Sequence, residues 1–144
     1  MSVKTDCFDG LIAALKAALP VGFNPSRICY PNAPFERPTP NPTPQTAEEQ
    51  LAEAWLEVVM EDVANTPQSP CRQLNSGILS IDVYWPKLTG NKAANNFADV
   101  IKKALAQEWI GALKINLGVS NEFDSKDWYN INVSFDYSYE ENVK

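Results

Sequence analysis

The stretch from Gly77 to Pro86, GILSIDVYWP, constrains the fold more than any other part of the chain. Its side chains alternate in polarity between a glycine and a proline, as is typical of a β-strand. One side of such a strand carries only the apolar residues Leu79, Ile81, Val83 and Trp85. The other side carries Ile78, Ser80, Asp82 and Tyr84. The pattern therefore predicts a central strand of a sheet whose apolar face is covered by another layer.

Two amphipathic helices can provide this cover. Lys87 to Asn91 is a polar turn after the strand, and apolar residues then recur at helical spacing. These residues are Ala94, Phe97, Ile101, Ala104 and Leu105. A first helix is predicted from Thr5 to Leu19, ending before Pro20, because it has one apolar stripe. The stripe consists of Phe8, Leu11, Ile12, Leu15, Ala18 and Leu19.

Three other segments have the pattern of strands. Arg27 to Tyr30 is short, β-prone and followed by Pro31, which predicts an edge strand. Leu113 to Val119 alternates apolar with polar residues. Trp128 to Glu140 alternates most clearly and predicts a long antiparallel strand with one polar face.

Loops and turns are predicted between these elements. Asn65 to Ser76 is a polar segment that contains Pro67 and Pro70. Trp109 to Gly111 is predicted to turn the chain, and Ser120 to Asp127 is predicted to be a charged loop.

A proline-rich arm, at about residues 31–46, interrupts the alternation of helices and strands. Six of its residues are prolines, namely Pro31, Pro34, Pro38, Pro40, Pro42 and Pro44. This spacing excludes a helix or a central strand and favours an extended, polyproline-like chain. The arm is interpreted as a solvated linker, as a segment that lies on a neighbouring subunit, or as a ligand for a proline-recognising domain.

The segment from Thr46 to Ala64 fits two structures. Thr46 and Glu49 form a capping box, and local propensity predicts a helix from Ala47 to Val63. The alternating Leu56, Val58 and Met60 fit a strand equally well. The residues of this segment alone therefore favour a long helix without excluding a strand.

Composition limits the function. A chain of 144 residues that is 44% hydrophobic can fill one core, so a single domain is expected. No apolar run is long enough to span a bilayer and no secretory signal is recognised, so we expect a cytoplasmic product without a membrane partner. A formal net charge of −6 argues against binding to phosphate backbones. Three widely spaced cysteines and no histidine predict incidental thiols, no metal site and no cofactor.

No catalytic residue is predicted. A Gly-x-Ser-x-Gly motif is missing, and without histidine neither a Ser-His nor a Cys-His pair can form. The acidic pairs, such as Glu61 with Asp62, are adjacent in sequence and would point in different directions. Asp82 is a lone acid without a recognisable partner, and the four tryptophans are assigned to the core or to an interface. We therefore do not expect an enzyme.

In the order of these features, the chain resembles the tail terminator proteins of long-tailed bacteriophages, the minor tail protein U-like family. The resemblance covers nearly the whole chain. Its most specific parts are the YPNAPF step from Tyr30 to Phe35 and the GILSIDVYWP strand with the turn that follows it. The final strand, WYNINVSF from Trp128 to Phe135, also contributes.

This resemblance implies an α+β fold, with a mostly antiparallel sheet of four to five strands and two main helices packed on one face. It also implies that Ala54 to Val63 is a strand, which leaves at most a short helix at Ala47 to Ala52. The prolines and their neighbours in the arm then become candidates for a subunit or tube interface. These candidates are Pro31, Asn32, Pro34, Phe35, Pro38, Pro40 and Pro42.

The function that the resemblance implies is structural. The subunits form a homo-oligomeric ring of six members that caps the tail tube, stops its polymerisation and provides the surface onto which the head docks. Its partners are then further copies of itself, the tail tube protein and the head–tail connector, while DNA passes through the lumen without specific binding. The protein belongs at the head-proximal end of the virion tail and in the host cytoplasm during assembly. A head–tail adaptor, a tail completion protein, or a small binding module that uses the arm remain alternatives.

Overall fold

The computed structural model describes residues 3–31, 33–39, 46–87, 89, 92–124 and 127–142. In this part of the chain three α-helices and six strands are found. The helices are α1 (Val3–Ala18), α2 (Ala47–Glu53) and α3 (Lys92–Leu105). The strands are β1 (Ile28–Cys29), β2 (Trp55–Ser69), β3 (Arg72–Pro86), β4 (Trp109–Ile110), β5 (Leu113–Asp124) and β6 (Trp128–Asn142).

The strands form one sheet in the order β1-β2-β3-β6-β5-β4. Strand β1 runs parallel to β2, and the other neighbours are antiparallel. The predicted α+β class is confirmed. The predicted number of four to five strands is wrong, because the two-residue β4 adds a sixth strand and the parallel β1 makes the sheet mixed.

The core lies between one face of the sheet and the helices α1 and α3. The central strand β3 is at the position predicted for it, and its apolar side packs in this core. Ile81 of β3 lies between Val133 of the neighbouring β6 and Val58 of the neighbouring β2. Lys16 in α1 and Lys102 and Lys103 in α3 lie in the last helical turns, where cations oppose the negative end of the helix dipole. We call the opposite side of the sheet the open face.

The ambiguous segment is divided between a helix and a strand. Helix α2 ends at Glu53, where Arg27 donates hydrogen bonds to the carbonyls of Glu53 and Ala54. At its start, the backbone N–H of Glu49 donates to the hydroxyl of Thr46, as the capping box predicts. Strand β2 follows, so the long helix from Ala47 to Val63 is wrong and the strand implied by the resemblance is confirmed. Packing of the apolar side of β2 into the core outweighs local helix propensity.

Three predicted loops or turns are strands instead. Most of 65–76 continues β2 and β3 into a long hairpin that turns at Pro70 and Cys71. Most of 120–127 continues β5, and the turn at 109–111 contains β4. These stretches pair through backbone hydrogen bonds while many of their side chains are exposed, so alternating polarity does not mark them. Gly111, with a φ of +59°, makes the tight turn between β4 and β5 possible.

Candidate functional site

An aromatic cluster lies at one end of the open face. Trp55 of β2 is opposite Tyr84 of β3, which in turn is opposite Asn130 of β6. The rings of Trp55 and Tyr84 are stacked, with centroids 3.9 Å apart. Trp128 meets Trp55 edge-on at 6.2 Å. Trp55 is therefore 1% exposed although it lies outside the main core.

The arm completes this cluster from above the sheet. Phe35 stacks on Trp55 at 5.5 Å, and the guanidinium carbon of Arg37 lies 5.6 Å from the centre of the indole ring. Arg37 also forms an ion pair with Glu57 at 3.6 Å. The described part of the arm, residues 33–39, is neither helix nor strand, as its prolines predict. The arm is held to its own subunit at this point by ring stacking and one ion pair.

A cavity of about 330 Å³, which we call the aromatic cavity, opens beside this cluster. Its walls include Arg37, Trp55, Tyr84, Asp127, Trp128 and Asn130. Two of these residues have a polar atom with almost no solvent-accessible surface, the indole Nε1 of Trp55 and the amide Oδ1 of Asn130. Neither of them has a hydrogen-bond partner within the described residues. The cavity thus has aromatic walls, and one donor and one acceptor are buried beneath its surface.

A polar network continues from the cavity along the open face. The Nδ2 of Asn132 donates to the hydroxyl of Ser80 and to the carboxylate of Asp82, both at 2.7 Å. The hydroxyl of Ser134 donates to the Oδ1 of Asn132. Burial raises the pKa of Tyr84, and the nearby charges of Asp82 and Glu57 raise it further. In this network the carboxylate of Asp82 accepts a hydrogen bond from Asn132.

A second polar group, centred on Asp62, lies on the core side of the sheet. The hydroxyls of Tyr137 and Tyr139 both donate to the carboxylate of Asp62, the latter at 2.9 Å, and Lys4 lies 3.5 Å from it. Burial raises the pKa of both tyrosines, and their hydrogen bonds to the carboxylate act in the same direction. The two phenols and Lys4 therefore provide the Asp62 carboxylate with hydrogen-bond donors and an opposite charge.

Both long outer strands have an edge that is only partly covered. Strand β1 pairs with β2 only at Leu56 and Glu57. Strand β4 pairs with β5 at Leu113 and Lys114, and a backbone bond from Gln107 reaches Asn116. Past these points, the outer edges of 58–69 and 117–124 have no strand partner among the described residues. Several apolar side chains of these segments are exposed, namely Val59, Val63, Leu117, Val119 and Phe123.

The arm residues predicted for an interface have different surroundings. Pro31 and Pro34 are exposed, while Phe35 and Pro38 are half-buried against their own subunit, with Pro38 in the wall of the aromatic cavity. Asn32, Pro40 and Pro42 lie outside the described residues. Sequence reasoning missed Trp55, Tyr84 and Asn130 as a group, because only the register of three strands places them in one row.

The chemistry available in the described part of the chain is limited. No group of three His, Cys, Asp or Glu side chains there could hold a metal ion. The three cysteines are free, and burial raises the pKa of the Cys7 thiol, with the charge of Asp6 adding to the effect. None of the described helices is long and apolar enough to span a bilayer.

Comparisons with known proteins give similarity of fold only. No protein-family model and no curated protein matches the sequence. Eleven solved chains have a similar structure. One of them aligns with 91% of this chain and 94% of its own length, with a TM-score of 0.57 and 12% sequence identity. At this level of identity the similarity concerns the architecture of the sheet and helices, and not the function.

Proposed function

We propose that this chain is a structural subunit of a bacteriophage tail, which assembles into a tail-terminator-like ring of six copies. The ring caps the head-proximal end of the tail tube, stops its polymerisation and provides the docking surface for the head. Its partners are the tail tube protein and the head–tail connector. The proposal includes no catalytic activity, and its starting point is the resemblance of the sequence to that family.

The observation that carries the proposal is the pair of partly covered sheet edges. They belong to two different strands, β2 and β5, at opposite sides of the four long strands. A ring needs two different surfaces on each subunit, because each copy meets its neighbours head to tail. An exposed edge strand is also a template for pairing with another chain. Pairing of β5 with the β2 of the next copy would use both surfaces.

The directions of the strands agree with this pairing. From β2 through β3 and β6 to β5 there are three antiparallel steps, so β2 and β5 run in opposite directions. Rotation about an axis along the strands does not change their direction. The β5 of one copy and the β2 of the next would therefore be antiparallel, and the alternation of the sheet would continue around the ring.

The charge of the open face supports passage of DNA without adhesion. Along 76–84 of β3 and 130–138 of β6, the charged residues on this face are Asp82 and Asp136. Strand β2 adds Glu57 and Glu61, and β5 adds one cation, Lys114, opposite Ser138. Arg37, which reaches this face from the arm, is paired with Glu57. An open face that lined the channel would repel phosphates.

Assembly of tail tubes tests the proposal. Purified tube protein from the same phage is polymerised with and without this chain, and tube lengths are measured by electron microscopy. We expect shorter tubes with additional density at one end. Tubes of unchanged length, together with binding of the chain to isolated head connectors, would contradict a terminator and favour a head–tail adaptor.

A further inference from the structure

The two short strands lie at opposite ends of the sheet. Strand β1 pairs with β2 as far as Glu57, which is opposite Asp82 of β3. Strand β4 begins beside Lys114 of β5, which the register through β6 places at the level of Ser76 of β3. Asp82 and Ser76 are six residues apart, so the two levels are separated by about 20 Å along the strands. Each edge of the sheet therefore projects where the other edge does not.

A first row of side chains crosses the open face at the level of β1. It consists of Cys29, Glu57, Asp82, Asn132 and Asn121, each the cross-strand neighbour of the next. The row starts on β1 and ends on β5, which has no outer strand partner at this level among the described residues. The side chain of Asn121 is exposed. At this level the sheet projects at the β1 edge and is recessed at the β5 edge.

A second row, at the level of β4, has the opposite arrangement. It consists of Trp109, Lys114, Ser138, Ser76 and Ala64. The row starts on β4 and ends on β2, whose outer side has no strand partner at Ala64 within the described part of the chain. Trp109 is 66% exposed, and the small side chain of Ala64 is exposed as well. Here the sheet projects at the β4 edge and is recessed at the β2 edge.

Two copies placed side by side, without a shift along the strands, therefore fit together at both levels. Strand β1 of one copy enters the recess beside β5 of its neighbour, with Cys29 opposite Asn121. Strand β4 of that neighbour enters the recess beside β2, with Trp109 opposite Ala64. The two short strands do not collide, because their levels are about 20 Å apart. Neither pair brings like charges together, and the second combines a large side chain with a small one.

The absence of a shift determines what the contact builds. A head-to-tail contact closes into a ring only if its rotation includes no translation along the axis, and otherwise it builds a filament. Rows that join at their own levels add no translation along an axis parallel to the strands. Direct pairing of the uncovered edge 117–124 with the uncovered edge 58–69 would need such a shift, because at equal levels β1 lies between them.

We propose that adjacent copies of this chain join through their short strands, which fix the register of the contact at zero shift. Strand β1 runs parallel to β2 and therefore antiparallel to β5 of the neighbour, which it meets at Asn121. Strand β4 of the neighbour runs parallel to β2 and meets it at Ala64. This inference rests on the proposed ring and refines its edge pairing, since β5 and β2 are joined through β1 and β4.

Oxidative cross-linking to the native Cys29 tests this register. The variant Asn121→Cys is prepared with Cys71→Ser, which removes the exposed thiol. Glu122→Cys in the same background is the matched control, because residue 122 is at the level of Ile28 and points to the opposite face of the sheet. A disulfide needs two Cα atoms within about 7 Å and Cβ atoms that point towards each other.

After mild oxidation with copper phenanthroline, each variant is analysed by non-reducing electrophoresis. For Asn121→Cys we expect a ladder of bands up to six copies of 16.0 kDa, which dithiothreitol returns to the monomer. Glu122→Cys is expected to stay mostly monomeric on the gel. Adding Cys29→Ser to Asn121→Cys is expected to abolish the ladder. The double variant Ala64→Cys with Trp109→Cys repeats the test at the second level, where a ladder is also expected.

Native mass spectrometry of the same samples separates the register from the ring itself. A species of six copies that forms no cross-link at either level would overturn the proposed register and leave the ring intact. A ladder as strong in Glu122→Cys as in Asn121→Cys, or one that persists with Cys29→Ser, would also overturn the register. A wild type without any species of six copies would overturn both the register and the ring.

Discussion

The indole ring of Trp55 lies nearly parallel to the phenol ring of Tyr84, with centroids 3.9 Å apart and planes inclined by 7°. The two residues are direct cross-strand neighbours on β2 and β3. The ring of Phe35 also stacks on the indole of Trp55, and this contact holds the arm against the sheet. This stack therefore joins the arm, the open face and the aromatic cavity, and it gives the open face a small apolar cluster of its own.

Removal of the central ring of the stack is predicted to destabilise the fold strongly. For Trp55→Ala we expect a loss of about 3–5 kcal/mol in the free energy of unfolding, because the indole is almost fully buried. Urea denaturation followed by circular dichroism measures the loss. Trp109→Ala, at a position that is 66% exposed, is the control and is expected to change stability by about 1 kcal/mol or less. Equal losses in both variants would contradict the role given to the stack.

Alkaline pH is predicted to destabilise the fold through Tyr137 and Tyr139. In the folded chain the pKa of each phenol is raised above its ordinary value of 10.0, by burial first and then by the hydrogen bond to Asp62. Above that pH the unfolded chain loses protons that the folded chain retains, so stability is full below pH 10 and falls above it. Each tyrosine contributes a slope of about 1.4 kcal/mol per pH unit.

Urea denaturation from neutral to alkaline pH measures this slope, and Tyr139→Phe is the matched variant because it removes one ionisable phenol. We expect the free energy of unfolding of Tyr139→Phe to be lower near neutral pH, since one hydrogen bond to Asp62 is lost. Its decline at alkaline pH should be less steep than that of the wild type by about 1.4 kcal/mol per pH unit. Two parallel curves would contradict the assignment of this pH dependence to Tyr139.

Close contact between strands makes Gly77 intolerant of substitution. A Cβ atom at this position would lie 2.0 Å from the carbonyl oxygen of Glu61 and 2.6 Å from the hydroxyl of Tyr137. Because a backbone atom cannot move aside locally, Gly77→Ala is expected to lower the free energy of unfolding by more than about 2 kcal/mol. Gly10→Ala is the control, since its Cβ would meet only the end of the Ile110 side chain, at 3.1 Å. A Gly77→Ala variant as stable as Gly10→Ala would show that the strands can separate at this point.

Much of the fold follows from patterns within single segments. The apolar stripe of α1 and the alternation of β3 and β6 each place a buried face against the same core, so local and tertiary preferences agree there. Local and tertiary preferences disagree where α2 is followed by β2. Helix propensity continues past Glu53, whereas the sheet requires an extended backbone at Leu56 and Val58. The extensions of β2, β3 and β5 are held by backbone pairing, and their side chains lack the alternating polarity that marks a strand.

The candidate site was not predictable in the same way. Trp55, Tyr84 and Asn130 are far apart in sequence, and only the register of β2, β3 and β6 places them in one row. The sequence predicts that the tryptophans lie in the core or at an interface, and it does not indicate which of these applies to Trp55. Phe35 was a candidate for an interface because of the YPNAPF step, and its contact with Trp55 depends on the path of the arm over the sheet. No property of residues 30–35 alone specifies that path.

The native mass of edge variants tests the proposed head-to-tail ring most directly. Native mass spectrometry of the wild type is predicted to give a species of six copies of 16.0 kDa, about 96 kDa. Val59→Lys on β2 and Val119→Lys on β5 each place a charge on one edge, and each variant alone is expected to be monomeric. Val21→Lys adds the same charge at a fully exposed position outside the sheet and is expected to assemble like the wild type.

A mixture of Val59→Lys and Val119→Lys gives the sharpest result. Each variant retains the edge that the other has lost, so one intact contact can form between β5 of the first and β2 of the second. Two copies of 16.0 kDa, about 32 kDa, are therefore predicted in the mixture, while each variant alone stays at the mass of the monomer. A wild type that is monomeric at every concentration, or edge variants that assemble as it does, would contradict the ring.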